Sequence, residues 1–268
     1  MNKRIVLKFG GKSLSTVEQI HKVKSIVLEY AQLGYEVVTV VSAMGTMTDE
    51  LIALAHCVVK APSVRELDLL VSVGERISMT LLTMALLEGG VDAISFTGSQ
   101  SGILTTNDFT EAKIADVKPQ RILEALGKGK LVVVAGFQGV SLEKEVTTLG
   151  RGGSDTTAIA LAAAIEADRV VFYKDVPGLF DKNPHEFPDA LLLQEVDYTH
   201  AYNILVHEKR PILDLRALQL ARKLHILIYI HSFEPQMFQK KTGTVIRDKK
   251  PSATLVNTYE VEPALQRD

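Results

Sequence analysis

Tryptophan is absent from this sequence of 268 residues, and aromatic residues as a whole make up only 6% of it. The single cysteine, Cys57, excludes an internal disulfide, and the apolar residues around it predict a buried, unreactive thiol. A formal net charge of −2 leaves no positive excess for a nucleic-acid-binding surface. We find no apolar run of membrane-spanning length and no secretory leader, so we expect a soluble, cytoplasmic protein without a membrane partner.

Hydrophobic residues make up 46% of the chain, which is enough for the core of one large domain or of two fused lobes. Short apolar runs alternate with longer amphipathic segments. The first pair is a strand over Arg4–Phe9 and a helix that Thr16 and Gln19 cap. This alternation predicts an α/β fold with a mainly parallel sheet, covered by helices on both faces. Ligands of such sheets bind at the carboxyl ends of the strands.

The remaining elements follow from the same patterns of apolar residues, turn residues and caps. Further strands are predicted over 36–41, 92–96, 131–135, 169–173 and 243–246, helices over 48–60, 66–88, 119–127 and 154–167, and a last helix–strand pair over about 214–231.

A lysine and two glycines end the first strand, in the order Lys8, Gly10, Gly11. Glycines let backbone N–H groups approach phosphate oxygens, and the lysine can supply a point charge. An ordinary strand–turn–helix unit gives the same pattern, and the spacing of a Walker A loop is missing. This signal is therefore weak when it stands alone.

A second glycine cluster brackets an arginine, over Gly150–Gly153, and leads into Ser154 and Asp155 at the start of a helix. Either of the last two residues can simply cap that helix. A cap does not require Gly-Arg-Gly-Gly, however, and Arg151 can hold a carboxylate with two parallel hydrogen bonds. The helix N-terminus also attracts anions, so this run indicates a functional site.

Two further segments carry weaker signals. In 72–76, Glu75 can receive an ammonium group, but a charged first helical turn is the better explanation when this segment is taken alone. The loop over 173–184 follows a strand and is rich in turn residues. It can hold a base and ribose, and a purely structural loop is about as good an explanation.

Together these motifs resemble the aspartokinase branch of the amino acid kinase family, from Lys8 to about Ile246. The most specific stretch is Thr147–Ile165. The other matching stretches are 8–13, 41–51, 72–76, 97–103, 132–140, 173–180 and 243–246. The resemblance implies a three-layer α/β/α sandwich with a mainly parallel central sheet. It also implies an acid-binding lobe over 1–145, a nucleotide-binding lobe over 146–250 and a tail over 251–268.

Site residues follow from the same resemblance, matched motif by motif. Lys8 would stabilise the transferring phosphoryl group, and Asp155 would position lysines or a magnesium-bound water. The implied catalytic residues are Lys8, Asp155, Gly10 and Gly11. The implied amino-acid site consists of Ser42, Thr48, Glu75, Phe137, Arg151 and Ser154. The implied nucleotide site consists of Lys8, Gly11, Lys174, Asp175, Phe180, Lys182 and Arg210.

The implied reaction is ATP-dependent phosphorylation of the side-chain carboxylate of L-aspartate, in the synthesis of lysine and threonine. Mg²⁺ would be bound mainly through the nucleotide phosphates, with no metal ligands from the protein. Two alternatives stay open: a kinase of the same family that acts on another small acid, and a non-catalytic subunit that binds ATP and an amino acid. The expected partners are these small molecules, and a homodimer through the kinase domain is compatible with the pattern.

Departures from the family pattern gather on the nucleotide side. Lys12 stands where the family usually has threonine, and Lys174 and Pro177 resemble the uridylate and glutamate kinase branches. Pro211 takes the place of a lysine that normally reaches ATP, so Lys209, Arg210 or Lys174 would have to substitute for it. Aspartokinases continue into paired regulatory ACT domains, and this sequence ends at Asp268. We therefore expect no feedback inhibition through such domains.

Overall fold

A computed structural model describes residues 3–184, 186–209, 211–234, 243–248 and 259–261. The strands within them are β1 (Lys3–Phe9), β2 (Tyr35–Val41), β3 (Ala93–Phe96), β4 (Ile103–Thr105), β5 (Ile114–Val117), β6 (Leu131–Ala135), β7 (Gln138–Ser141), β8 (Val146–Thr148), β9 (Arg169–Lys174), β10 (Glu195–Val196), β11 (Ile228–Ser232) and β12 (Gly243–Ile246). The α-helices are α1 (Val17–Gln32), α2 (Met47–Val58), α3 (Val64–Val71), α4 (Val73–Glu88), α5 (Gln120–Gly127), α6 (Gly153–Ala164), α7 (Tyr198–Leu205) and α8 (Leu215–Lys223).

The main sheet has the strand order β10-β12-β11-β9-β1-β2-β6-β3 in the described part of the chain. Neighbouring strands from β11 to β3 run parallel, whereas β12 runs antiparallel to β11. The central strands β1, β2, β6 and β9 are mostly apolar because helices cover both of their faces, and Lys8 of β1 and Thr39 of β2 are the buried polar exceptions. The predicted α/β fold with a mainly parallel sheet is therefore confirmed.

Successive residues of the central strands face two separate hydrophobic cores. Val6 belongs to the core that α5, α6, α7 and α8 cover, whereas Ile5 and Leu7 belong to the core that α1 and α4 cover. This alternation follows from the period of two along a strand. It produces three layers, helices–sheet–helices, as the sequence predicts.

A second, small sheet of order β5-β4-β7-β8 was not predicted, because strands of three or four residues are too short to show a period. Asp68 of α3 fastens this sheet. Its buried carboxylate accepts hydrogen bonds from Thr148 N (2.8 Å), Thr148 Oγ1 (2.6 Å) and Thr110 N (3.0 Å). Burial raises the pKa of Asp68, although these donors oppose the rise. The strand that leads into the Gly150–Gly153 run is thereby held in place.

Three details of the prediction are wrong. The helix expected over 66–88 is two helices, α3 and α4, that meet at Ser72. Cys57 is exposed rather than buried, because α2 packs against α3 outside the sheet and buries none of its own residues. Helix α7 was not predicted at all.

The segment Val64–Glu88 is long and apolar enough to cross a membrane by length and composition. By this measure the chain does contain an apolar run of membrane-spanning length, contrary to the expectation. Half of its most apolar window is buried inside the structure, and the α4 part packs onto the main sheet through Leu82 and Leu86. This is the usual profile of a core helix.

Leu82→Ala tests the packing of α4, with Leu81→Ala as the matched control at a more exposed position of the same helix. Leu82 is fully buried, whereas Leu81 is 38% exposed. We expect Leu82→Ala to lower the free energy of unfolding by about 2–5 kcal/mol because it leaves a cavity. The control should lose less than about 1 kcal/mol in the same urea titration. Equal losses would contradict this packing.

Candidate active site

The ends of β1 and β9 form the centre of the candidate site. Phe9 pairs with Tyr173 in parallel register, so the Gly10–Gly11 turn and Lys174 leave the main sheet side by side. A Cβ atom on Gly11 would lie 2.9 Å from the backbone oxygens of Ala43 and Gly45, so the close approach of the next loop requires glycine here. A Cβ on Gly10 would lie 3.7 Å from Lys8 Nζ, so glycine keeps the space beside that ammonium group open.

Two lysines share one carboxylate at this point. Lys8 Nζ lies 2.6 Å from Asp155 Oδ1, and Lys174 Nζ lies 3.1 Å from Asp155 Oδ2. The side chains of Lys8 and Asp155 are only 5% and 8% exposed. Burial alone would raise the pKa of Asp155, but Lys174 and Lys8 outweigh it and lower that pKa to about 2. With two cations for one anion, the cluster keeps an excess positive charge beside the glycine turn.

Burial acts on Lys8 as well, and it lowers the pKa of the ammonium group. The neighbouring charge of Lys174 lowers it further, whereas Asp155 opposes the change. The charge of Asp155 is therefore the main influence that opposes the loss of the Lys8 proton in this buried place. An anion that approaches the glycine turn would find a prepared positive site.

The Gly-Arg-Gly-Gly run has a backbone reason for each of its outer glycines. Gly150 and Gly152 have φ values of +71° and +74°, in the left-handed region that favours glycine. A Cβ on Gly152 would also collide with the carboxylate of Asp214. No side chain caps α6 at its N-terminus, so the interpretation of Ser154 or Asp155 as a cap is wrong. Asp155 binds the lysines instead.

Arg151 lies between these glycines and is exposed. Its guanidinium makes no hydrogen bond or ion pair with any residue that the structure describes. Phe137 lies next to this loop: it has a φ of +69°, its N–H donates to Thr157 Oγ1, and its carbonyl accepts from Leu149 N. The arginine is thus presented on a tightly held loop with its charge free.

Ser154 is nearly buried at the first turn of α6 and lies against the end of β6. A Cβ on Gly136 would be 2.8 Å from Ser154 Cβ, and a Cβ on Gly153 would be 3.1 Å from the Phe137 ring. Phe137 and Ser154 therefore lie beside the loop that carries Arg151, and the binding role of these three residues stays a prediction.

Glu75 begins α4 but does not lie on its surface. The residue is 3% exposed, its Oε1 accepts from Ala43 N at 2.9 Å, and its Oε2 is buried without a hydrogen-bond partner among the described residues. Burial raises the pKa of Glu75 to about 7, although the Ala43 N–H and the charge of Lys8 oppose the rise. A charged surface turn does not explain a buried carboxylate oxygen that still needs a donor.

Ser42 and Thr48 lie in the loop and helix that follow β2, on either side of Gly45. Both are half-buried, and Ser42 N donates to Phe9 O at 3.1 Å. The bond between Gly45 N and Gly11 O, at 3.0 Å, ties this loop to the glycine turn. The loop after β2 is therefore part of the same site.

The nucleotide-side residues are less closely grouped. Lys12 and Asp175 form an exposed ion pair of 2.6 Å beside the Lys8–Asp155–Lys174 cluster. Phe180 bridges to Leu192 at the base of a loop. In that loop Lys182 Nζ pairs with Asp189 Oδ2 at 2.7 Å. Arg210 lies outside the described residues, and the nucleotide role of all of these residues stays a prediction.

Sequence reasoning missed Asp214, which links the site to α8. Its N–H lies 3.4 Å from Asp155 Oδ2, its Oδ1 accepts from Arg216 N to cap α8, and its side chain abuts Gly152. The only signal in the sequence was an aspartate at the start of a predicted helix, which predicts a cap and nothing more.

A sequence model described as the amino acid kinase family matches residues 3–232. The chain belongs to this family. It is 44% identical to the aspartokinase of Mycolicibacterium smegmatis over 244 residues, which are 91% of this chain and 57% of that protein. It is 42% identical to aspartokinase 2 of Bacillus subtilis (strain 168) over 245 residues, 91% of this chain and 59% of that protein. The chain therefore spans less than two thirds of the length of these relatives.

Solved structures of the amino acid kinase family superpose well on the chain. Escherichia coli aspartokinase III in complex with aspartate and ADP gives a TM-score of 0.83 at 26% identity, over 93% of this chain and 65% of that one. The aspartate kinase of Synechocystis gives a TM-score of 0.80 at 39% identity, over 94% of this chain and 41% of that one. The UMP kinase of Ureaplasma parvum gives a TM-score of 0.66 at 17% identity, over 92% of this chain and 100% of that one. At this identity the likeness shows the fold alone. The predicted amino acid kinase fold is confirmed.

Asp155→Asn tests the shared carboxylate through the pH dependence of stability. The folded-state pKa of Asp155, about 2, lies below its ordinary value of 3.8. Its stabilising effect is therefore fully present above about pH 4 and is lost as pH falls through about 2. The difference in free energy of unfolding between wild type and Asp155→Asn, from urea titrations, should shrink between pH 5 and pH 2.

Asp189→Asn is the matched control, because it makes the same change in an exposed ion pair with Lys182. We expect it to alter the free energy of unfolding by less than about 1 kcal/mol at every pH. The difference in free energy of unfolding between wild type and Asp155→Asn could instead stay the same at every pH. That result would show that the carboxylate charge does not hold the cluster together.

Proposed function

We propose that this chain transfers the γ-phosphoryl group of ATP to the side-chain carboxylate of L-aspartate, which forms 4-phospho-L-aspartate and ADP. The observation that carries this proposal is the buried Lys8–Asp155–Lys174 cluster, with its excess positive charge beside the Gly10–Gly11 turn. Similarity to proteins named aspartokinase supports the choice of acid.

The phosphates of ATP fit the positive side of this cluster. Lys8 and Lys174 supply two ammonium groups, and Gly10 leaves space beside Lys8 Nζ that a side chain would fill. These charges would oppose the repulsion between a carboxylate and a triphosphate, which is the main obstacle to the reaction. Asp175, Phe180, Lys182 and Arg210 are proposed to contact the rest of the nucleotide.

Magnesium fits as an ion held by the nucleotide rather than by the protein. Both oxygens of Asp155 already lie close to lysine ammonium groups. In the described residues, no group of three or more His, Cys, Asp or Glu side chains is arranged to hold a metal. Mg²⁺ would neutralise charge on the phosphates, with Asp155 able to reach it only through water.

The acid side offers one free cation and one buried anion. Arg151 would grip one carboxylate of aspartate, and Glu75 Oε2 would accept a hydrogen bond from the ammonium group. Ser42, Thr48, Phe137 and Ser154 are proposed to line the remainder. An α-amino acid with a second carboxylate matches this pair of charges, and the second carboxylate stays available for reaction.

The chemical step needs no general base. The side-chain carboxylate of aspartate, with a pKa of about 3.9, is ionised at neutral pH. One of its oxygens forms a bond to the γ-phosphorus while the bond from that phosphorus to the β–γ bridging oxygen breaks, and ADP leaves with the electron pair. Lys8 would hold the transferring group, and Asp155 would keep Lys8 and Lys174 in position.

Each of the two alternative functions is supported by one specific observation. Glu75 and Arg151 recognise an amino acid in general, so another small acid of this kind is a second candidate substrate. Pro211, where the family has a lysine, is the reason to retain a non-catalytic subunit that binds ATP and an amino acid. The division into lobes at 145/146, the cytoplasmic location and the homodimer stay predictions.

Trapping the acyl phosphate with hydroxylamine tests the reaction directly. The assay contains Mg-ATP and one acid: L-aspartate, L-glutamate or N-acetylglutamate. Uridylate is tested in parallel by measuring the release of ADP. We expect aspartyl hydroxamate from the wild type. Lys8→Ala should reduce it by about 100-fold or more because a preorganised charge is lost from the transferring group. Lys22→Ala, which removes a lysine from the exposed face of α1, is the matched control and should retain activity.

The other outcomes of this assay select between the alternatives. If a different acid gives the product, that acid would replace aspartate as the proposed substrate. ATP binding without product from any acid would indicate the non-catalytic subunit. Near-normal turnover by Lys8→Ala would contradict the role given to that lysine.

Glu75 should give the acid substrate a pH dependence. Only the ionised carboxylate can pair with an ammonium group, and the pKa of Glu75 is raised to about 7 by burial. We therefore expect kcat/KM for aspartate to rise as pH increases toward about 7 and to level off above it, since this ratio reports the free enzyme. Glu75→Gln should lower kcat/KM and remove that rise.

Glu88→Gln changes an exposed glutamate at the end of the same helix and serves as the control. Its pH profile should match the wild type. A Glu75→Gln enzyme with an unchanged profile would mean that another group titrates, and that Glu75 does not bind the substrate.

A further inference from the structure

The short segment Tyr259–Val261 lies against the kinase core, although it follows the closing strand β12 in sequence. Glu260 N donates to Ile114 O at 3.0 Å, and Glu260 Oε2 accepts from Ile114 N at 2.7 Å. Tyr259 packs against the core that α8 covers, and its carbonyl accepts from Lys223 Nζ at 2.8 Å. Both the backbone and the side chain of Glu260 are therefore attached to β5.

Arg216, in the first turn of α8, connects this segment to the Gly-Arg-Gly-Gly loop. Its Nε and Nη2 donate to Glu260 Oε1 at 3.0 and 2.6 Å, and its Nη1 donates to Leu149 O at 2.6 Å. The side chain of Glu260 is only 10% exposed and that of Arg216 is 34% exposed, so water screens this pair less than it screens a pair on the open surface. One guanidinium thus joins the tail segment to the residue that precedes Gly150.

The start of α8 contacts the loop at two points. Arg216 holds Leu149 O on one side of Arg151, and Asp214 lies against Gly152 on the other side. Between these points, Gly150 and Gly152 both have positive φ values. Because glycine restricts the backbone little, the direction of Arg151 depends on such outside contacts.

We propose that Arg216 and Glu260 are positioning residues that hold the Leu149–Gly152 loop so that Arg151 meets the acid substrate. This inference rests on the proposed function, in which Arg151 grips a carboxylate. The loss of the Glu260 carboxylate would leave the Arg216 guanidinium without its charged partner, and the bond to Leu149 O would lose its fixed donor. Binding of the acid would weaken, whereas the ATP phosphates, held by Lys8 and Lys174, would not be affected directly.

Glu260→Gln is the main test, because it keeps the size of the side chain and removes its charge. We expect the KM for L-aspartate to rise by about tenfold, which is the effect of a charged hydrogen bond of ordinary strength. The KM for Mg-ATP should stay within about twofold, since no contact to the phosphates changes. Arg216→Lys, which keeps the charge but loses the forked geometry, should act in the same direction.

Two further variants calibrate the result. Arg151→Ala should raise the KM for aspartate at least as much as Glu260→Gln. Glu195→Gln makes the same substitution in an exposed glutamate that binds Arg247 through both oxygens, at 2.9 and 3.1 Å, far along the sheet edge. This control should leave both KM values unchanged.

The outcomes separate this inference from the proposed function. One result to look for is a wild type that turns over aspartate while Glu260→Gln and Arg216→Lys lower only the melting temperature. That result would mean that the contact only stabilises the fold, and it would overturn the proposal. Equal rises in both KM values would also overturn it. Calorimetric titration with L-aspartate gives the same comparison as a Kd if turnover is absent. A wild type that neither binds nor phosphorylates the acid would overturn the proposed function, and this inference with it.

Discussion

Lys8, Lys174 and Asp155 come from β1, β9 and α6, and their buried charges have to meet within a few ångströms. The parallel pairing of β1 with β9 brings the two lysines to the same edge of the sheet. The first turn of α6 then brings the carboxylate between them. Each of these elements is fixed by its own packing, so the cluster can form only when all three layers are in place.

This cluster carries a free-energy cost that the rest of the fold has to offset. A buried ammonium group without a partner is strongly unfavourable, and two of them beside each other are worse. One carboxylate compensates only part of that charge. The remaining positive charge is what makes the glycine turn suitable for a phosphate chain, so the destabilising feature and the proposed function have the same origin.

The acid side depends on a different kind of constraint. Within the part of the chain that the structure describes, Glu75 is buried with one oxygen unpartnered, and Arg151 is presented between two glycines of positive φ. Neither residue is directed by its local secondary structure alone. Asp214 and Arg216 set the loop of Arg151 from outside, and Ala43 sets Glu75, so this half of the site depends on distant contacts.

Much of the fold could be predicted from the residues alone, because strands buried on both faces, such as Leu131–Ala135, are apolar without interruption. The glycine motifs also marked loops where the backbone lies close to another chain segment or takes a positive φ, since such positions favour glycine whatever the surrounding fold. Local sequence thus determined the central sheet, the Lys8 turn and the Gly150–Gly153 loop. The partners of these groups were decided only in three dimensions. Glu260 and Ile114 are separated by 146 residues, and no local pattern encodes such a contact.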